Sequence, residues 1–388
     1  MSHKPSAAFL SQPQHLDYLD SLRALAALYV IVQHALLHTQ LTKMKLPWLQ
    51  QLLVDSFSFG HYAVDLFIVL SGFCLMLPVV KNNGRLRTGA LQFFKKRARR
   101  ILPPYYLAMA ASLVLIFAII GQKTGTHWDE SIPVGGKDIF THLFLIQDLF
   151  HDTNSTINHA FWSISVEWRI YFLFPLLVLA WERFGPILTS LFAVIVSLGI
   201  QFLLRDSSLF NFSPWGICPH YVGLFTLGCL ATEIAFSQQR LSYVLRHNLP
   251  WQTLVLLGAG LILLVSHKGI LLGQNVPWPL QDLMVGLWAM VLLVALALPQ
   301  TTVLKSLVSW KPLSFCGTFA YSIYLIHAPL LQVLSQYLLM PLGLAPFLEF
   351  ILLSTVGLAL ILALSYGFYW FCERPFLSKP VERKVRLS

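Results

Sequence analysis

Long runs of apolar side chains recur from one end of the chain to the other, and they limit the fold more than any other feature. "LAMAASLVLIFAII" occupies 107–120, "LVLLGAGLILLV" 254–265 and "LLSTVGLALILALSYGFYWF" 352–371. A helix of about 20 such residues crosses the hydrocarbon core of a bilayer. Lipid leaves backbone polar groups no partner but one another, so only helices or closed barrels span it. The runs lack the polar–apolar alternation of barrel strands, which leaves the helix. Of the 388 residues 56% are hydrophobic and 11% charged, against about 25% charged in soluble domains. The expected fold is an all-α integral membrane protein of about ten transmembrane helices, near 17–38, 59–80, 101–120, 160–181, 185–203, 218–236, 251–267, 279–299, 314–340 and 346–371.

A net charge of +10 suits a nucleic-acid partner until its distribution is read. With the N-terminus placed in the cytoplasm, nineteen of the 27 Lys and Arg fall in inner segments and six in outer ones. This is the positive-inside asymmetry, so the excess charge sets topology. Both termini are expected in the cytoplasm, and no nucleic-acid partner is expected. Residues 1–16 read as a cytoplasmic segment, 17–372 as one transmembrane domain and 373–388 as a basic tail. The first fifteen residues lack an apolar core, so no cleaved signal peptide is expected. The five cysteines show no metal-ligand spacing, so neither a metal nor a disulfide framework is expected. The outer segment 121–159 mixes polar and apolar residues and suits a helix lying on the membrane surface.

Polar groups inside the spans carry the functional signal, because ionisable side chains are unfavourable in hydrocarbon. In the first span, Arg23 and His34 lie eleven residues apart. At 100° per residue they share one helix face, roughly 16 Å apart along the axis. Asp20 is placed to pair with Arg23. Either Arg23 snorkels to the interface while His34 makes a packing hydrogen bond, or both face a cavity. The second span carries His61 and Asp65 on one face. Its Ser71 and Gly72 would admit a close neighbour, whether helix or ligand. Before the third span, "FFKKRARRILPPYY" sets Arg97 and Arg100 at i, i+3, which suits either topology or phosphate binding. Pro103 and Pro104 are expected to fix the chain's passage into that span. The fourth holds Glu167 about two turns deep with Arg169 behind it, as an ion pair or in a wet cavity. Tyr321, Tyr324 and His327 form a stripe in the ninth span, and Glu373–Arg374 end the tenth.

Taken in order, these elements resemble the membrane-bound acyltransferase-3 family. The resemblance rests on Arg23 with His34, Ser71-Gly72-Phe73, Arg97-x-x-Arg100, "WSISVE" at 162–167, "YSIYLIHAP" at 321–329 and Glu373-Arg374-Pro375. Trp168 and Arg169 stand where the family has a polar pair. The resemblance implies a ten-helix enzyme that takes an acyl group, acetyl being the expected one, from cytosolic acyl-CoA. It passes that group to a hydroxyl of a glycan or lipid-linked sugar at the outer face of a bacterial inner membrane. Some members carry a further extracytoplasmic domain, and these 388 residues are expected to be the membrane domain alone.

The spacing gives this resemblance a mechanism. Arg97, Arg100 and Arg23, beside Ser71 and Gly72, would hold the donor's phosphates and arm. His34 would serve as general base, Glu167 or Asp65 would orient it, and Tyr324 would stabilise the oxyanion. An acyl-histidine intermediate stays open at this stage. The alternative is a secondary transporter with His34, Asp65 and Glu167 as a proton relay.

Overall fold

The computed structural model describes residues 16–272, 276–300 and 302–377. The described residues form helices α1 (Asp17–His38), α2 (Trp48–Ser56), α3 (Gly60–Val80), α4 (Gly89–Leu115), α5 (Gly136–Leu143), α6 (Trp162–Phe184), α7 (Pro186–Leu204) and α8 (Tyr221–Phe236). They continue as α9 (Arg240–Asn248), α10 (Trp251–Leu272), α11 (Trp278–Ala297), α12 (Val303–Val308), α13 (Lys311–Gly317), α14 (Ala320–Leu334), α15 (Pro346–Leu352) and α16 (Leu358–Phe368). Among the described residues there is no strand, and the all-α membrane fold stands.

Eight helices in the described residues are long and apolar enough to cross a membrane. The pair α9 and α10, bent by 72°, makes a ninth, and α8 is a shorter apolar helix. The ten segments read from the sequence are thus all helical. The N-terminal segment and the basic tail lie almost wholly outside the described residues. One boundary differs from expectation. α4 begins at Gly89 rather than near 101, so the whole basic stretch is helical. Pro103 and Pro104, expected to fix the entry into the span, lie inside that helix. The segment 121–159 holds one α-helix, α5, with Phe140 and Leu143 exposed.

Packing is most extensive between α3 and α8. A Cβ on Gly72 would lie 1.9 Å from the Phe225 carbonyl oxygen, and one on Gly228 would lie 2.0 Å from that of Val69. The backbones therefore touch, as small residues permit in membrane helices. Thr232 Oγ1 donates to the Phe73 carbonyl at 2.8 Å and adds a polar tie. Around this pair the core gathers α1, α6, α11 and α14. α1 is enclosed by α3, α13 and α14, which turns its Arg23–His34 face inward.

Candidate functional site

Two chambers lie end to end along α1. The first, of about 370 Å³, is lined by His34, His127, His159, Gln33, Glu130 and Tyr324 among others. The second, of about 150 Å³, is lined by Arg23, Ser71, Arg97, Arg100, Glu167 and Tyr324 among others. Val64 and Tyr324 line both, so they form the partition. The roughly 16 Å between Arg23 and His34 is the span from one chamber to the other.

The histidine chamber is built from spans and loops together. His34 comes from α1, His327 from α14, and His127 and His159 from the segment between α4 and α6. His34 Nδ1 lies 2.9 Å from His327 Nε2. The His159 ring stands edge-on to His34 with centroids 4.8 Å apart, and His127 is 4.5 Å from His159.

The direction of the His34–His327 hydrogen bond follows from its neighbour. His327 Nδ1 lies 2.8 Å from the Tyr324 carbonyl oxygen, which can only accept, so Nδ1 carries the proton. Neutral His327 then offers Nε2 as an acceptor, and His34 donates to it through Nδ1–H. The remaining nitrogen of His34, Nε2, keeps its lone pair. Burial pushes His159 well below the usual histidine range, and the neighbouring imidazoles of His127 and His34 add to it. The hydrogen bond from His127, at 3.4 Å, holds the Glu130 carboxyl below its usual range.

The arginine chamber is cationic. Arg23 Nη1 donates to Asp20 at 2.6 Å, as the spacing leads one to expect, and Nη2 donates to Cys74 Sγ at 2.9 Å. Arg97 and Arg100 reach the chamber from α4. Tyr171 donates to Glu167 at 2.5 Å and shares a 3.0 Å contact with Ser71. At the partition, the hydroxyls of Tyr324 and Ser163 lie 2.6 Å apart.

Several residues have other partners than the sequence reading gives them. Asp65 lines neither chamber. It lies beside Asp282 and Tyr221, in a buried group where His220 Nε2 meets Asp282 at 2.9 Å. His61 turns toward Asp282 as well, at 3.5 Å. Glu167 belongs to the arginine chamber, so neither carboxylate orients His34, and His327 holds it instead. Gly72 faces α8, and its small size serves helix packing rather than a ligand. Nor does Arg169 pair with Glu167. It forms a two-pronged ion pair with Asp148, one bond being 2.7 Å.

His127 and His159 escape a sequence reading because they sit in loops, where no helical period marks them. Four imidazoles at one place invite the thought of a metal, yet among the described residues no group of three His, Cys, Asp or Glu is arranged to hold one.

This order of motifs, now with their geometry, can be set against known proteins. The family described as an acyltransferase domain matches residues 16–370. The chain belongs to this acyltransferase family. It is 24% identical to the O-acetyltransferase OatA of Staphylococcus aureus, over 95% of the chain and 58% of that relative. It is 26% identical to the putative peptidoglycan O-acetyltransferase YrhL of Bacillus subtilis, over 96% and 59%. With the peptidoglycan O-acetyltransferase OatA of Listeria monocytogenes the figures are 23%, 84% and 51%. The chain thus spans between 51% and 59% of the length of these relatives. No solved structure matches it.

Proposed function

We propose that the protein is a membrane O-acetyltransferase. It takes the acetyl group of acetyl-CoA in the arginine chamber, on the cytosolic side, and delivers it to a hydroxyl of a cell-wall glycan in the histidine chamber, on the outer side of a bacterial inner membrane. The observation that carries this reading is the pair of chambers with one shared partition. One end bears guanidinium groups suited to phosphates, the other an imidazole with a free lone pair.

Arg97 and Arg100 hold the donor's phosphates by charge-assisted bonds, and Arg23 lines the path of its arm. The reach from Arg23 to His34, roughly 16 Å, is of the order of that arm's length. The Tyr324–Ser163 pair then stands beside the thioester carbonyl. His34 Nε2 takes the proton of the acceptor hydroxyl as its oxygen attacks that carbonyl. His34 Nδ1–H, held by His327, keeps the ring in the tautomer this step requires. The hydroxyls of Tyr324 and Ser163 supply donors to the oxyanion. The C–S bond breaks, the ester is formed, and His34 returns the proton to the departing thiolate.

The names of the relatives support acetyl as the group transferred and a glycan as the acceptor. A transporter's proton relay would need His34, Asp65 and Glu167 on one path. They stand in three separate places, which favours the transferase.

The test is free-thiol release from acetyl-CoA by the purified protein with a peptidoglycan digest as acceptor. Wild type is expected to release thiol and to place labelled acetyl on the glycan, whereas His34→Ala is expected to do neither. Equal release by both would remove His34 from the chemistry.

A further inference from the structure

The histidine chamber has one wall that the reaction above does not use. Trp215, in the loop between α7 and α8, lines it while remaining 44% exposed. Its ring packs edge-on against Trp162, with centroids 5.8 Å apart and planes at 74°. Trp162 itself is 5% exposed and rests on Tyr221. One indole is therefore a fixed backing and the other presents an open face.

The loop holds that face still. Asn211 N–H donates to the Leu149 carbonyl at 2.8 Å, and Ile217 N–H donates to the Asn211 carbonyl at 2.9 Å. Gly216 is pressed so closely on Asn211 that a Cβ would fall 2.1 Å from its carbonyl oxygen. A surface fixed in this way loses little freedom when a ligand settles on it.

The same chamber is also lined by Gln33, Gln40, Thr42, Lys43 and Glu130. A flat apolar face in one chamber with several donors and acceptors matches a pyranose, whose C–H faces are apolar and whose rim carries hydroxyls. We propose that Trp215 is the acceptor platform, on which one pyranose ring of the glycan stacks so that a hydroxyl meets His34. The inference rests on the acyltransferase reading and adds the subsite that selects a saccharide. The competing explanation is that Trp215 anchors the loop among lipid headgroups, as interfacial tryptophans do.

The probe is chitotetraose, a soluble β-1,4-linked oligosaccharide of N-acetylglucosamine, used with the full-length protein and acetyl-CoA. Trp215→Ala is expected to raise the KM for this acceptor about tenfold. The limiting kcat and the KM for acetyl-CoA should stay within about twofold. Trp215→Tyr, which keeps a flat ring, should recover most of the loss. Quenching of intrinsic fluorescence by chitotetraose without donor gives a second readout, lost in Trp215→Ala. An unchanged acceptor KM and undiminished binding in Trp215→Ala would overturn the platform, as would a drop in thermal stability with acceptor affinity intact. If the wild type binds the oligosaccharide through Trp215 but never releases thiol from acetyl-CoA, the platform stands and the transferase reading falls.

Discussion

At the scale of single residues, the site differs from the familiar arrangement in which a carboxylate orients a catalytic histidine. Here the partner is a second imidazole, itself fixed by the Tyr324 carbonyl. The pair stays neutral until His34 takes a proton, and no carboxylate among its hydrogen-bond partners rewards that step. His327→Ala should therefore cut kcat by about 10²–10³-fold. The donor KM should stay near wild type, and His327→Gln should recover part of the rate because its amide oxygen can accept from His34 Nδ1–H. Thiol-release kinetics check this. His159 makes a separate prediction, about stability. Its folded pKa is lowered, so the unfolded chain binds the proton more readily. The neutral ring's contribution is intact above the unfolded pKa of about 6.5 and is lost as pH falls below it. Melting temperature should drop from pH 7 to pH 5, and less so in His159→Asn. Arg23, His34 and Tyr324 could be read from the sequence because helical periodicity marks a polar face. Asp65 misled for a tertiary reason: its partner Asp282 lies on α11, more than two hundred residues away, and no local pattern links them.

At the scale of elements, the α3–α8 contact decides where the arginine chamber's wall stands. α3 presents Ser71 and Cys74 to the chamber from the turn that bears Gly72. Gly228→Ala puts a methyl 2.0 Å from a backbone oxygen, which no rotamer can relieve. It should destabilise the protein by about 2–3 kcal/mol and weaken the donor through α3, read as a lower melting temperature and a higher KM for acetyl-CoA. Ser71-Gly72 was legible as a close-approach motif, but which neighbour approaches is settled only by the fold. α4 teaches a related point. Hydropathy starts the span near 101 because charge stops there, whereas hydrogen bonding continues the helix back to Gly89 and so sets Arg97 and Arg100 one turn apart. Arg97→Ala should raise the KM for acetyl-CoA about tenfold or more, with kcat at saturation little changed. Lys95→Ala, at an exposed position of the same helix, should leave both near wild type.

At the scale of the whole molecule, the proposed reaction gives the two chambers a direction. Under the proposed reaction the arginine end meets the cytosol, because that is where coenzyme A resides, and the histidine end faces outward. The positive-inside count gives the same orientation, and still does so with Arg97 and Arg100 left out, at seventeen inner against six outer. A single topology experiment bears on both. Single cysteines at Lys95 and Lys137, in a background without the five native ones, would be exposed to a membrane-impermeant maleimide. Lys137→Cys, on the outer helix α5, should react in intact cells, and Lys95→Cys only after permeabilisation. The reverse pattern would place Arg97 and Arg100 outside, away from any acyl-CoA. Both the donor assignment and the direction of transfer would then fail together, even with every distance in the site unchanged.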